Sequence, residues 1–319
     1  MSIFRSRALA LAGATAVFLA ACSSGASPVP SASPAASAAP SVAASPAASA
    51  EASAAASPAA SAEASPSSAA LAVPDRIKTA GTLIVCSDVS YAPEEFYAAD
   101  GTTIQGSDID IAADIAKRWG VTLQVDNTPF DGIIAALKAK KCDLILSGMN
   151  STDERKKEVD FVDYLNVGQG LLVPAGNPKN IKTLDDLSGK SVAVQLGTSN
   201  KDALDAKDKA LKAAGKPGID IVGFEKDTDA FQQLALGRVD AYSTDSPVVA
   251  YYNSLPGNKG KFEVGGTPID PLPIGVAMRK DDAGMKDAVQ AAVDAMYADG
   301  ALKAIVDKWG MTNAVVFLK

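Results

Sequence analysis

From residue 81 onward, short apolar runs alternate with amphipathic segments, and this alternation limits the fold more than any other feature of the chain. Residues 81–86 read as a first strand, followed by a hairpin-like turn at Asp100 and Gly101. Ser107 and Asp108 open a helix whose apolar face is Ile111, Ile115 and Trp119, flanked by Ala112 and Ala116. Strand 121–125, a helix opening at Phe130 and running to Lys141, and a buried strand at 144–146 come next. A second unit repeats the pattern: strand 191–195, a helix from about Lys201, strand 219–224, helix 228–236 and strand 239–242. Residues 272–278 read as a strand returning toward the first unit. The terminal helix carries Leu302, Ile305, Val306 and Trp309 on one stripe, with Gly310 just past its end. Strands that alternate with helices build an α/β fold with mainly parallel sheets, and ligand chemistry then sits at the carboxyl ends of the strands.

The first 70 residues do not belong to that pattern. Arg5 and Arg7 precede an apolar core over 8–18, and Leu19, Ala20 and Ala21 lead into a lone cysteine, Cys22. This resembles a bacterial lipoprotein signal, which implies lipidation of Cys22 after removal of the preceding residues. The apolar run is too short to span a bilayer, so the expected mature protein is anchored to the membrane through lipid. Residues 23–70 are Ala, Ser and Pro with scattered Glu51 and Glu63. Such a segment cannot bury enough apolar surface to fold, and its prolines interrupt helix. It reads as a tether with an r.m.s. reach of about 40 Å.

Composition removes several function classes. A formal charge of −7 offers no basic patch for nucleic acid, and a histidine count of zero excludes His-based triads, His-ligated metals and His general acids or bases. No metal site and no cofactor are expected.

The strongest local signal runs from Leu144 to Leu165. After the apolar strand come Ser147, Gly148, Met149 and Asn150, then Thr152, Asp153, Glu154 and Arg155, then Val159, Asp160, Phe161 and Tyr164. A guanidinium in the first turn of a helix, beside neutral donors at a strand's carboxyl end, suits a bidentate carboxylate. On chemistry alone Arg155 serves equally well as a surface ion pair with Glu158 or Asp160. Taken with its surroundings, the stretch resembles the polar amino-acid-binding proteins of bacterial ABC importers, the extracellular solute-binding proteins of family 3. The likeness extends from about residue 74 to the C-terminus.

That resemblance implies a two-lobe type 2 periplasmic-binding fold with two hinge crossings, placed near 166–169 and 273–275. Lobe 1 would comprise 71–168 plus 276–319, and lobe 2 would comprise 169–275. It implies an extracytoplasmic, monomeric protein that captures an L-amino acid by hinge closure and delivers it to an ABC permease and its ATPase, without enzymatic chemistry. By motif match, Arg155 takes the ligand's α-carboxylate with help from Thr198, which follows Gly197 at a helix start that presents free N–H groups. Asp245 takes the α-ammonium, although on chemistry alone it is a helix N-cap ahead of Ser246 and Pro247. Tyr91 and Phe130 would sandwich the side chain, Asp88 would read it, and Ser147, Gly148 and Asn150 would supply donors around it. Tyr91 and Phe130 equally suit core packing.

Two positions depart from the family pattern. Glu94 stands where an aromatic or Met is usual, and with Asp88 nearby it points to a cationic or amide-bearing ligand; a solvated loop face with Glu95 is the plainer reading. Asn150 replaces Thr or Ser. Glu94 is also the one unusual acid on which an alternative rests, a periplasmic dehydratase of the cyclohexadienyl or arogenate type on the same fold. The remaining cysteines, Cys86 and Cys142, are expected to be free and buried at opposite sheet edges, too far apart to bridge.

Overall fold

The computed structural model describes residues 72–267 and 269–318. The signal segment, Cys22 and the whole of the tether lie outside the described residues. The chain enters through α1 (Asp75–Ala80) and β1 (Thr82–Ser87), then the β2–β3 hairpin (Phe96–Tyr97, Ile104–Gln105). Its turn is held by the Asp100 carboxylate, which accepts from the Thr102 and Thr103 amides at 2.8 Å each. Helix α2 (Ser107–Trp119) buries the expected stripe of Ile111, Ala112, Ile115, Ala116 and Trp119, and ends on the left-handed Gly120. β4 (Thr122–Asn127), α3 (Ile133–Lys138), β5 (Leu144–Ile145) and α4 (Asp153–Glu158) complete the first run. The Thr152 hydroxyl caps α4 by accepting from the Arg155 amide.

The next strand is longer than the sequence suggests. β6 (Asp160–Pro174) continues without a break through the segment read as a crossing. It leads to β7 (Ser191–Gln195), α5 (Ser199–Ala213), β8 (Asp220–Phe224), α6 (Asp227–Ala235), β9 (Ala241–Asp245) and α7 (Ser246–Ser254). β10 (Phe262–Val264) and β11 (Ile269–Met278) return the chain, and α8 (Met285–Ala298), α9 (Ala301–Lys308) and β12 (Val315–Phe317) finish it. The sequence reading had no α8. Among the described residues, no helix is long and apolar enough to cross a membrane.

The strands follow the order β4-β1-β5-β11-β6-β9-β7-β8. Parallel pairs dominate at both ends, β1 with β4 and β5, and β7 with β8 and β9. Antiparallel β6 and β11 join the two ends, so one lobe is built on β4-β1-β5 and the other on β9-β7-β8. The first half of β6 pairs with β11 and β12, and its second half with β9 and β10. This is the two-lobe type 2 periplasmic-binding architecture, with both chain crossings carried on strands. The inner strands are covered on two faces, which is why β5 and the middle of β7 are apolar and buried, whereas the edge strand β4 alternates and is only half-buried. In the first lobe, α2, α8 and α9 pack over Leu83, Val85, Leu144 and Val276 on one face, and Ile133, Leu137 and Ile145 gather on the other.

The expectation of two free thiols is overturned. Cys86 and Cys142 form a disulfide, with Cα atoms 5.7 Å apart. β5 does not lie across the sheet from β1 but is its direct neighbour, with Val85 opposite Leu144 and Cys86 opposite Ile145. Cys142 precedes β5 and sits in the same apolar cluster as Cys86, under α3. Adjacent strands are separated by about 5 Å, within bridging range.

Candidate functional site

The two lobes meet over a narrow crevice that leaves a cavity of only about 10 Å³ between them. Tyr91, Phe130, Ser147, Gly148 and Asn150 line it from the first lobe, and Gln195, Thr198, Ser199, Asn200 and Asp245 from the second. Seven residues expected from the sequence are therefore on its wall. Arg155, on α4, is not on the wall itself but contacts it through the Asn150 carbonyl and the Phe130 ring, and Asp88 stands behind it, bonded to Gln195 and Phe130. Gln195, Ser199 and Asn200 were missed. The latter two follow the Gly197–Thr198 turn that was read as a helix start, so the same signal could have found them.

Arg155 bridges the lobes. Its Nη1 donates to the Asn150 carbonyl at 2.8 Å, its Nη2 donates across the gap to the Gly197 carbonyl at 2.9 Å, and its guanidinium lies 5.3 Å from the Phe130 ring centroid. Burial pulls its pKa down while Asp202 and Asp245 push it up; an arginine stays charged under both. The partner it would have on a surface, Glu158, instead pairs with Lys138 at 3.0 Å. Opposite lies the N-terminus of the fifteen-residue α5. The Thr198 hydroxyl donates to the Gln195 carbonyl and accepts from the Lys201 amide, so it shapes the turn and leaves the first-turn N–H groups facing outward. The buried Asn150 Nδ2 has no partner among the described residues, while its Oδ1 accepts from Ser199 Oγ at 2.6 Å across the lobes. A guanidinium, a helix start and an unfilled amide donor converge here, and together they suit a carboxylate.

Asp245 occupies the N-cap position of α7, yet its side chain caps nothing. Its Oδ1 instead accepts from Asn200 Nδ2 at 2.9 Å, and burial raises its pKa to about 6. Tyr91, buried against this acid, receives the Asp245 amide at 3.3 Å and the Thr244 hydroxyl at 3.2 Å on its phenolic oxygen. The Asp88 carboxylate is occupied by the protein itself. Oδ1 takes the Ser90 hydroxyl at 2.7 Å, and Oδ2 takes the Phe130 amide and Gln195 Nε2 at 2.9 Å each. Ser147 Oγ accepts from the Asp88 amide and donates to Glu95 Oε1, both at 2.9 Å. The Gly148 amide donates to Asp108 at 2.8 Å. Burial leaves the acids around the crevice reluctant to ionise: Asp108 is raised to about 6 and Asp227 to about 8. Glu94 and Glu95 are also raised, first by burial and then by Asp108. They are 1% and 0% exposed, so the solvated loop face is excluded.

The arrangement offers one fixed cation, one pair of acid and amide, and a ring stacked on the cation. Its chemistry suits a small zwitterion held by both lobes at once. Several known proteins are similar to this chain. The L-cystine-binding protein TcyJ of Escherichia coli (strain K12) is 33% identical over 236 residues, covering 74% of this chain and 85% of its own. The histidine-binding periplasmic protein of Salmonella typhimurium is 31% identical over 244 residues, covering 75% and 88%. Among solved structures, the ancestral amino acid-binding protein AncCDT-1, a precursor of cyclohexadienyl dehydratase, superposes with a TM-score of 0.65 at 37% identity, covering 74% of this chain and 97% of its own. Residues 83–312 match the family model of bacterial extracellular solute-binding proteins, family 3, and the chain belongs to that family.

Proposed function

We propose that this protein is the extracytoplasmic solute-binding lipoprotein of an ABC importer, and that it binds a polar L-amino acid of the basic or amide kind by hinge closure. Lobe 1 is 71–168 plus 276–319 and lobe 2 is 169–275; Cys22 carries the lipid, and the protein works as a monomer that hands its ligand to a permease and its ATPase. One observation carries this reading: Arg155 of the first lobe bonds to Gly197 at the start of α5 in the second, with Asp245 across the crevice. Arg155, the α5 N-terminus at Thr198 and Asn150 receive the α-carboxylate, and Asp245 receives the α-ammonium. Tyr91 and Phe130 flank the side chain. Ser147 and Gly148 form the floor, and Asp88 orients Gln195 toward the ligand. Opposite charges on opposite lobes make closure depend on the whole zwitterion. The disulfide supports an oxidising, extracytoplasmic location.

A thermal-shift screen against the twenty amino acids and their close relatives tests the reading. A ligand at a hundredfold excess over its Kd adds about 2.7 kcal/mol of stability. One basic or amide amino acid should raise the melting temperature clearly, and Arg155→Ala should abolish that shift while the ligand-free melt stays in place. A normal affinity in Arg155→Ala would sink the site assignment. A second reading, a dehydratase of the cyclohexadienyl or arogenate type, is favoured by the buried acid Glu94 alone. Turnover of prephenate would establish it.

A further inference from the structure

Most acids around the crevice are committed to donors within the protein. Asp88 accepts three, Asp108 accepts Tyr164 and Gly148, Glu95 accepts Ser147, and Asp245 accepts Asn200. Asp227 accepts the hydroxyls of Tyr242 and Thr244. Glu94 differs. It is 1% exposed, and its own backbone N–H is the one hydrogen-bond donor acting on it. Its Oε2 has no partner among the described residues; one oxygen each of Glu95 and Asp227 is likewise empty, but those two carboxyls are held by Ser147 and Tyr242 through their other oxygen. The charged groups facing it are Asp108, Asp245 and Asp227, all acids. On its crevice side stand two lining residues. A Cβ built on Gly148 would lie 3.8 Å from Glu94 Cγ and 2.8 Å from the Tyr91 ring. The Glu94 stem therefore lies one layer behind the crevice wall, beside Gly148 and the Tyr91 ring. A buried carboxyl with an empty oxygen is unfavourable compared with an apolar residue of the same shape. The fold gains nothing from it, but a ligand that brings its own donor does.

Resting on the amino-acid reading above, we propose that Glu94 is a specificity-determining residue whose carboxyl receives a cationic group on the ligand's side chain. Asp245 stands opposite Arg155 and serves the α-ammonium, and Asp88 is filled by Ser90, Phe130 and Gln195. Among these acids Glu94 is the one that no other residue's side chain holds, which leaves its carboxyl to read a second positive charge. The crevice then prefers an amino acid with a guanidinium or ammonium side chain over its neutral isostere.

Isothermal titration calorimetry of the full chain with two matched pairs decides the matter: L-arginine against L-citrulline, and L-lysine against L-glutamine. In the unmodified protein at least one cationic member should bind tenfold or more tightly than its neutral counterpart. Glu94→Gln should cut that preference at least tenfold while moving the neutral member less than threefold. Glu94→Leu should do the same and also raise the ligand-free melting temperature, which a structural role would lower. The proposal is overturned if the preference is absent or survives both variants. It is also overturned if both members weaken together, which would place Glu94 on the α-ammonium, or if neither variant folds, which would make it structural. Amino-acid binding that Arg155→Ala abolishes, without a Glu94-dependent preference, removes this proposal alone. No binding of any amino acid removes the amino-acid reading and this proposal with it.

Discussion

Gly197 offers a way to separate folding from closure. It has φ +74°, and a Cβ built there would lie 2.8 Å from Asp131 Cα and 2.9 Å from Asp131 Oδ1. Gly197 is on the second lobe and Asp131 on the first, so Gly197→Ala carries two penalties with different reach. The left-handed conformation is unfavourable for alanine by about 1–2 kcal/mol whether the lobes are open or closed, and lowers the melting temperature by roughly 2–8 °C. The collision with Asp131 exists only when the lobes meet. Crowding of this kind is unfavourable by about 1–3 kcal/mol. The same displacement strains the bond from Arg155 Nη2 to the Gly197 carbonyl, also a closed-state contact. Ligand affinity should therefore fall roughly 5- to 150-fold, measured by calorimetry on the amino acid found in the screen. In an Asp131→Gly background part of the loss should return, because the contacts to Asp131 Oδ1 and Cβ vanish while that to Cα persists. If Gly197→Ala lowers the melting temperature but binds normally, ligand binding does not bring these two surfaces together and the closure argument fails.

Three further outcomes follow from the same structure. Cys86→Ser with Cys142→Ser opens a loop of 56 residues and should destabilise the protein by roughly 4 kcal/mol, seen as a melting temperature lower by about 8–16 °C; an unchanged melt would refute it. Asp245, raised to about 6, must ionise to hold an ammonium, so calorimetry at pH 5 should give an affinity about tenfold weaker than at pH 7; a flat profile would remove Asp245 from that role. Asp227 has a folded pKa raised from 3.8 to about 8 by burial, so the native state holds its proton more tightly than the unfolded chain does. Its stabilising contribution is complete below about pH 4 and is lost as pH rises through about 8. Ligand-free melting temperatures should therefore fall over that window, and less so in Asp227→Asn; an identical slope in the variant would contradict the assignment.

The parts of the fold that follow from local chemistry were legible. The stripe on α2, the Thr152 cap and the Gly197–Thr198 turn each rest on near-neighbour rules and stand where the sequence puts them. What failed depended on distant pairing. The cysteines were judged by their positions along strands, whereas the order β4-β1-β5 makes neighbours of segments 56 residues apart. The segment 166–169 was expected only as a crossing, on the family resemblance, and no strand was assigned there; β11, β12 and β9 supply the ladder partners that make it the middle of one long strand. In the site, most of the wall was found through the family resemblance, because on residue type alone Tyr91 and Phe130 suited core packing and Asp245 an N-cap. Their hydrogen-bond partners were not visible, so Asp88 and Glu94 looked alike in sequence although one is saturated and the other is not.

The crossing strands set how the molecule can move. β6 and β11 run antiparallel from one lobe into the other, with register shifts between the Ile269 and Leu272 pairs and again between Ile274 and Gly275. A paired ribbon resists stretching and sideways slip, because either would break many ladder bonds at once, whereas it twists and bends easily where its register is irregular. Relative motion of the lobes is thus reduced from six rigid-body freedoms to little more than one rotation. The bond from Arg155 to the Gly197 carbonyl crosses between the lobes, so it is made or broken by that rotation. If the crevice closes on its ligand as proposed, occupancy would be written onto the outside of the protein as an angle, a quantity that a partner could read without touching the ligand.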